Sequence, residues 1–471
     1  MAPYAPTPRV VVVHALRPTS RQTTISHLLS FRRNLPGVDV RYVHFAQPLP
    51  PHLPAPAADV VVVNYDVLNY RFTALWPWVR TRLHALAAGA RHRVAVPQDD
   101  FWASALLDDW CAEWGATRIL TPLDANLDVL YPRSRRVARL VTVLTGYADP
   151  GIAAGPPLAQ RPIDLGQRVR RMPPHLGRLG QEKSSQAVRF AELARGAGFA
   201  VDVSDRNEDA FLDGSWLDFL RSCRFTISMK GGASRVDARG LEYLRVQRYL
   251  SRRPDATYDE VAARCFRTPD GVEMAATSPR LFEAAATGTC QILPPDDYLG
   301  VLEPWTHYLP LERDFSNAPA VLAAMRDLDS AQEIASRARA VLVESGRFGD
   351  ATLVREATSG LLDGAASPTS DGPWSEWTGA LDDTEQVWRE DGAAAHDAVQ
   401  EAIRALIDLG ATPDDALAHG PGQDGDGVRT GLDVALRYIQ STGRWEWFNT
   451  MLKQSATSPV LLRSPWIWRP L

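Results

Sequence analysis

Residues 9–27, RVVVVHALRPTSRQTTISH, decide how this chain reads, because a β-branched apolar run gives way at once to a polar segment. Val10 to Val13 can bury side chains on both faces of a strand, as strands of a covered parallel sheet do, and the polar stretch is where such a strand ends and a helix begins. The pattern recurs. Leucines and aromatics at helical intervals over 24–33 precede a strand in PGVDVRYVHF, residues 36–45. An apolar run over 58–63 ends in Asn64, Tyr65 and Asp66 and is followed by a Trp/Leu/Val-rich helical stretch to residue 86. Then come RHRVAVPQDD at 91–100, a helix over 102–114 and a short strand over 117–120. Strand, polar turn and helix repeated in this way predict a layered α/β domain over residues 1–150.

ADPGIAAGPPLAQRP, residues 148–162, lacks periodicity and reads as an inter-domain linker. A second alternation follows. Residues 182–198 form a helix stopped by glycine, and a strand then runs to Ser204. CRFTISMKGG, residues 223–232, delivers an apolar strand into a glycine-rich turn, and PRLFEAAATGTCQIL, residues 279–293, is a helix from a proline to Gly288 followed by a strand. Helices over 317–342 and 348–362 complete a second α/β domain, residues 161–362. Residues 363–471 shift toward Asp, Gly, Pro and Trp and read as a loop-rich and helical extension. It has helices within 384–410 and 434–452, a flexible loop at GPGQDGDG and a terminal LLRSPWIWRPL expected to pack back on the first domain.

With 471 residues, 45% of them hydrophobic and 23% charged, the chain suits two ordinary globular domains. A formal net charge of −5 provides no general attraction to nucleic acid or anionic lipid, and no nucleic-acid partner is expected. Cys111, Cys223, Cys265 and Cys290 are far apart and lack histidines at zinc-ligand spacing, so free thiols in a reducing compartment and no metal are expected. No signal peptide stands out, and no run approaches the roughly 20 apolar residues of a membrane span. These features imply a cytoplasmic protein without integral membrane association. Homo-oligomer formation stays open.

Polar residues just beyond apolar strands mark where two such domains would present chemistry. Parallel strands and the helices after them leave free N–H groups that suit phosphate. In PHLGRLGQEK, residues 174–183, Arg178 and Lys183 flank a loop-to-helix boundary and can neutralise a departing diphosphate, although a solvated helix start with surface ion pairs has the same sequence. This is not a Walker A loop. Arg280 and Glu283 are three apart on one helical face. A carboxylate there can accept two ribose hydroxyls and an arginine can bind phosphate, or the two can simply pair. On the first domain, Asp99 and Asp100 follow a strand, so either can act as general base toward an acceptor hydroxyl or cap the next helix. His14 and His27 occupy similar strand-end and helix-start positions.

TSPRLFEAAATGTCQILPPDDYLGVLEPWTHYLPLERDFSN, residues 277–317, resembles the donor-binding half of bacterial family-4-type GT-B glycosyltransferases, in particular the family-1-like subgroup. The resemblance is good over about residues 160–360 and weak over 1–150. It implies the GT-B fold, two Rossmann-like domains facing across a cleft, here with a C-terminal helical extension. It also implies a nucleoside-diphosphate sugar as donor, no obligatory metal or other cofactor, a small-molecule or glycan acceptor, and retention at the anomeric carbon. By that resemblance Glu283 takes the place of the second glutamate of the E-x7-E motif and binds ribose, while Arg178 and Lys183 match the basic phosphate pair. Tyr298 and Gly300 fall in the loop near the donor sugar, with His307 and Asp314 supporting it. At the first motif glutamate this chain has Ala275, and Glu273 is out of register.

Sugar transfer to an acceptor hydroxyl is therefore the leading expectation. A sugar-nucleotide epimerase or hydrolase, which needs no acceptor, is the enzymatic alternative. A non-catalytic nucleotide-sugar-binding or scaffolding protein is the other, and Ala275 favours it. A dinucleotide oxidoreductase fits poorly, since HALRPTSRQ rather than GxGxxG follows the first strand.

Overall fold

The computed structural model describes residues 7–15, 22–45, 58–72, 76–209, 211, 215–268 and 270–364. The helices, loop and terminal segment expected beyond residue 364 lie outside the described residues.

Six strands form the first sheet: β1 (Arg9–His14), β2 (Asp39–His44), β3 (Ala58–Val63), β4 (Ala90–Ala95), β5 (Arg118–Thr121) and β6 (Arg139–Thr142). All are parallel, in the order β2-β1-β3-β4-β5-β6. Val10 to Val13 and Val60 to Val63 are fully buried, with alternate residues feeding cores on opposite faces of the sheet. Burying such a valine stabilises by about 1.5–3 kcal/mol, which sets the run apart from a half-exposed strand.

In the second domain β7 (Ile163–Arg168), β8 (Val201–Ser204) and β9 (Cys223–Ile227) are joined, after an antiparallel ribbon of β10 (Gly231–Ala233) and β11 (Met274–Ala276), by β12 (Cys290–Leu293) and β13 (Leu309–Pro310). The second sheet is parallel too, in the order β13-β12-β9-β7-β8. The chain thus forms two Rossmann-like α/β domains facing a cleft, the arrangement that the resemblance implied. β7, which begins just beyond the stretch read as a linker, is an interior strand that its sequence does not announce. Its sequence, IDLGQR, carries a glycine because the helix Ser215–Ser222 and β9 press on it: a Cβ at Gly166 would lie 2.1 Å from Cys223 Sγ and 2.9 Å from the Phe219 ring.

Two sets of contacts fix the domains relative to each other. At the crossing, Thr145 Oγ1 donates to the Thr277 carbonyl at 2.7 Å and the Ala148 N–H donates to the Phe348 carbonyl at 2.8 Å. The helix Asp350–Thr358 then returns to the first domain, where Leu353, Val354 and Ala357 are buried with Ile25, Leu28 and Leu29. A domain boundary at residue 362 assigns this helix to the second domain, but its apolar face is in the core of the first.

The other set comes from an insertion between β9 and the helix Arg280–Ala286, which carries the ribbon and the helices Leu241–Leu250 and Tyr258–Cys265. Ala103 and Ala105 N–H groups donate to the Asp237 and Ala238 carbonyls at 2.7 and 2.9 Å, and the Asp237 N–H donates to the Phe101 carbonyl at 3.0 Å. Ala233 and Met274 join the first domain's core. Only a residue without Cβ can sit at position 232, because an added carbon would come within 1.8 Å of the Met274 carbonyl oxygen.

The Trp102 ring, stacked on Phe72 at 3.9 Å, meets Tyr243 at 4.8 Å and His175 at 4.7 Å across this seam. Both His175 nitrogens lack a hydrogen-bond partner, and burial pushes the imidazole down to about 3. An unfolded histidine protonates near pH 6.5, so between about 6.5 and 3 the unfolded chain binds the extra proton and stability falls as pH falls. His175→Leu is expected to lose about 1–2 kcal/mol less stability than wild type between pH 6.5 and 5, measured by denaturant unfolding at each pH.

Candidate functional site

In a doubly wound sheet the strand order reverses beside the first strand, and ligands bind beyond the carboxyl ends at that point. For the second sheet this point lies between β7 and β9. Gln167, near the end of β7, is 2% exposed, and its Oε1 accepts from Arg280 Nη1 at 2.7 Å. Arg280 Nη1 also donates to the Arg168 carbonyl, while Gln167 Nε2 donates to the Ile227 carbonyl at the end of β9. Arg280 is thereby tied to the carboxyl edges of two neighbouring strands.

Lys183, one turn and more into the helix Gly177–Gly196, comes to the same edge. Its Nζ lies against Gly231, where a Cβ would sit 3.3 Å from it. Enclosure by protein, reinforced by the Arg280 charge and opposed by Glu283, lowers the Lys183 ammonium to about 8. Glu283, in the first turn of the helix Arg280–Ala286, accepts from the indole Nε1 of Trp216 through Oε2 at 2.7 Å, and the Arg280 guanidinium lies 4.8 Å over the Trp216 ring. Two cations and one carboxylate at strand ends leave an excess positive charge that favours an anion.

The other expected phosphate ligand is elsewhere. Arg178 is exposed, its Nη2 is 3.2 Å from Asp259 and its guanidinium lies over Tyr258 at 5.2 Å. The helix start beside it is also occupied: the Arg178 N–H donates to Asp270 Oδ2 at 2.8 Å and the Leu179 N–H to Ser234 Oγ at 3.1 Å. The insertion supplies both acceptors, so the cradle expected from residues 174–183 is filled by the chain's own carboxylate and hydroxyl, and the pairing of Arg178 with Lys183 is corrected.

A cleft of about 320 Å³ runs between the domains, with Leu123, Asp124 and Ala125 on one side and Lys230, Asp296 and Arg313 on the other. Lys230 pairs with Asp296 at 2.9 Å, and Arg313 pairs with Glu182 at 3.0 Å and Glu273 at 3.3 Å. Glu273 and Ala275 both line it, so the out-of-register glutamate does reach the opening beside the missing one. Arg313 and Trp216 were not singled out in the sequence, and neither sits in a recognisable motif. Asp296 carries a faint signal in the PPDD turn just after β12.

Tyr298 does not face this cleft. It is 2% exposed, donates its hydroxyl to the Pro294 carbonyl at 2.9 Å and packs edge-on against Tyr308, which corrects its placement as a sugar contact. Gly300 is exposed with φ +65 and open space beside it, and its N–H donates to Asp297 Oδ1 at 2.7 Å. His307 accepts the Glu303 N–H through Nδ1 at 3.0 Å, and Asp314 accepts the Ser316 N–H at 2.9 Å; both are local loop bonds.

On the first domain Asp100 is fully buried. Its Oδ2 accepts from Thr121 and Tyr131 hydroxyls, each at 2.5 Å, and burial pushes the carboxyl up despite those bonds. An acceptor cannot reach it, so its expected role as general base is corrected to an internal bracket. Asp99 is exposed, with φ +54, and burial of its carboxyl by surrounding protein pushes it up, Arg71 opposing. Arg71, 2% exposed, holds this turn through the Gln98 and Asp99 carbonyls at 2.7 and 2.8 Å.

His27 is buried and pushed down to about 4 by desolvation, with Asn64 opposing through a hydrogen bond. Its Nδ1 has no partner, and its ring lies between Tyr65 at 5.3 Å and Tyr147 of the domain crossing at 6.4 Å. His14 is buried at the carboxyl end of β1, edge-on to Tyr42. Among the described residues no group of three or more His, Cys, Asp or Glu could hold a metal ion, and no helix is long and apolar enough to cross a membrane.

No protein-family model and no curated protein matches the chain. Similar solved structures include Anabaena HepE in complex with UDP and glucose, with 11% identity over 74% of this chain and 97% of that one at a TM-score of 0.41. An alpha-glucosyltransferase in complex with UDP and mismatched DNA has 9% identity, covering 74% of this chain and 95% of that one, at 0.40. Sucrose-phosphate synthase from Thermosynechococcus elongatus has 11% identity, covering 74% and 96%, at 0.36. Likenesses at this level carry no argument about activity, and the reading of the site rests on its own residues.

Asp100→Ala leaves the Thr121 and Tyr131 hydroxyls without their acceptor. The expected outcome is a loss of about 1–3 kcal/mol in denaturant unfolding.

Proposed function

We propose that the protein is a glycosyltransferase that moves a sugar from a nucleoside-diphosphate sugar to an acceptor hydroxyl. The observation that carries this reading is the convergence of Lys183, Arg280 and Glu283 at the carboxyl edge of the second sheet. Cations beside a carboxylate suit a diphosphate next to a ribose: Lys183 and Arg280 take up charge that grows on the leaving group, and Glu283 accepts ribose hydroxyls. The acceptor enters from the first domain, through the cleft at Leu123 to Ala125. The GT-B, family-4-type resemblance supports retention. Positioning and leaving-group stabilisation then supply most of the acceleration, which suits a site whose strand-end aspartate, Asp100, is buried. Asp99 and the neutral imidazole of His27 remain the proton acceptors on the first domain, and the exposed backbone at Gly300 is the proposed donor-sugar edge. No metal is needed in this scheme. Four buried free thiols support a cytoplasmic setting.

Ala275 favours a second reading, donor binding without transfer. Release of nucleoside diphosphate that depends on an added acceptor separates the two.

Titration calorimetry against UDP, GDP and dTDP and their glucose conjugates tests the site. At least one ligand is expected to bind saturably, with affinity reduced at least about tenfold by Glu283→Ala and little changed by Arg178→Ala. Failure of the whole panel to bind removes the reading. The charge on Lys183 adds a pH signature: affinity for the diphosphate holds below about pH 8 and falls about tenfold per unit above it as the ammonium loses its proton. Lys183→Arg shifts that decline to higher pH.

A further inference from the structure

We propose that Trp216 is a positioning residue for the nucleoside, fixing the Glu283 carboxylate so that the site distinguishes ribose from 2′-deoxyribose. The inference rests on the reading of this site as a nucleoside-diphosphate site.

Glu283 sits in a helix of seven residues, Arg280–Ala286, and its carboxylate is partly open to solvent. A flexible side chain there would sample several rotamers, and a bidentate grip on two adjacent hydroxyls requires one. The indole N–H of Trp216 holds Oε2 at 2.7 Å from an element 67 residues away in sequence. Trp216 is itself held in place. On the same helix, Ser215–Ser222, Phe219 is 8% exposed and Leu220 fully buried, and the Phe219 ring lies 5.8 Å from the indole. Arg280 covers the indole at 4.8 Å while its own guanidinium is anchored to Gln167 and the Arg168 carbonyl.

The indole therefore touches two of the three groups that the proposed site presents to a nucleotide. It orients one through its N–H and lies under the other through its ring face. These two contacts are chemically separable, because phenylalanine keeps an aromatic face for Arg280 and lacks the donor. Fixing a polar group that must pair with substrate hydroxyls sharpens discrimination against an analogue that lacks one of them, since the unmatched partner is left without its bond.

The test is calorimetry of the full chain with two probe pairs, UDP with 2′-deoxy-UDP and GDP with 2′-deoxy-GDP, on wild type, Trp216→Phe, Glu283→Ala and the double variant. Wild type is expected to prefer the ribonucleotide by about tenfold. Trp216→Phe should lose most of that preference while its affinity for the deoxynucleotide changes less than about twofold, and adding it to Glu283→Ala should change nothing further. Equal weakening of both members of a pair, or the same effect with and without Glu283, overturns the inference and leaves the donor-site reading standing. No binding of any probe by wild type overturns both. If Trp216→Phe does not give a cooperative thermal transition, Trp216→His carries the same comparison with a ring donor retained, and the ribose preference should then stay near the wild-type value; loss of the preference with the donor present counts against the inference.

Discussion

The backbone hydrogen bonds between residues 101–105 and 237–238 set the register in which the two domains meet. They belong to neither parallel sheet. They extend the first domain's β4 turn into an insertion of the second, so that the aromatic contact of Trp102, Tyr243 and His175 and the shared burial of Ala233 and Met274 form one seam. Opening the cleft along this side would expose those rings and orphan the carbonyls, which makes the seam a fixed edge. The crossing at residues 145–148 and 277–279 ties the chain at another place. Between them the remaining opening is the one lined by Leu123 to Ala125 and Arg313.

The insertion also occupies the start of the helix Gly177–Gly196. A helix that follows the first strand of a parallel sheet would ordinarily offer its first-turn N–H groups to a phosphate. Here Asp270 and Ser234 take those N–H groups, and Asp270 is in turn held by Arg235 Nη1 at 3.0 Å and by the Tyr258 hydroxyl at 2.8 Å. Arg235 is 5% exposed and also pairs with Glu242. A carboxylate fixed so firmly is a permanent occupant. In the proposed site the positive charge comes instead from Lys183, further along the same helix, and from Arg280 on the facing element.

Much of the layout was legible because buried parallel strands are written in long β-branched runs. β1, β3 and β9 stand out in this way, and so does the helix, glycine and strand at 279–293. β7 was not legible. Its residues include Asp164, Gly166, Gln167 and Arg168, and each answers a neighbour that only the fold supplies: Cys223 and Phe219 against the glycine, Ile227 and Arg280 with the glutamine. The insertion was hidden for the same reason, since Gly232 answers Met274 of its own ribbon while Ala233 and Asp237 answer the other domain. Lys183, read in the sequence with Arg178, comes instead beside Arg280 and Glu283, which the sequence already places on one helical face. The sequence does not tell Arg178 from Lys183, because which basic residue is left to the carboxyl edge of the second sheet depends on Asp259 and Asp270, more than 80 residues away in the chain.

Asp99 and Asp100 show how little adjacency says about role. In extended backbone the two side chains would point to opposite sides, but Asp99 is left-handed, so the turn and not strand alternation separates them. Asp100 turns inward to two hydroxyls, while Asp99 stays exposed with its carbonyl held by the buried Arg71. The inward carboxylate needs the guanidinium nearby to make its burial tolerable, and the guanidinium needs the turn's carbonyls to satisfy its donors. The rigid turn at 98–102 follows from that mutual requirement. Because Trp102 ends this turn and begins the seam, the buried Arg71, whose Nε also donates to the Trp102 carbonyl at 3.2 Å, ties this turn to the contact that holds the second domain against the first.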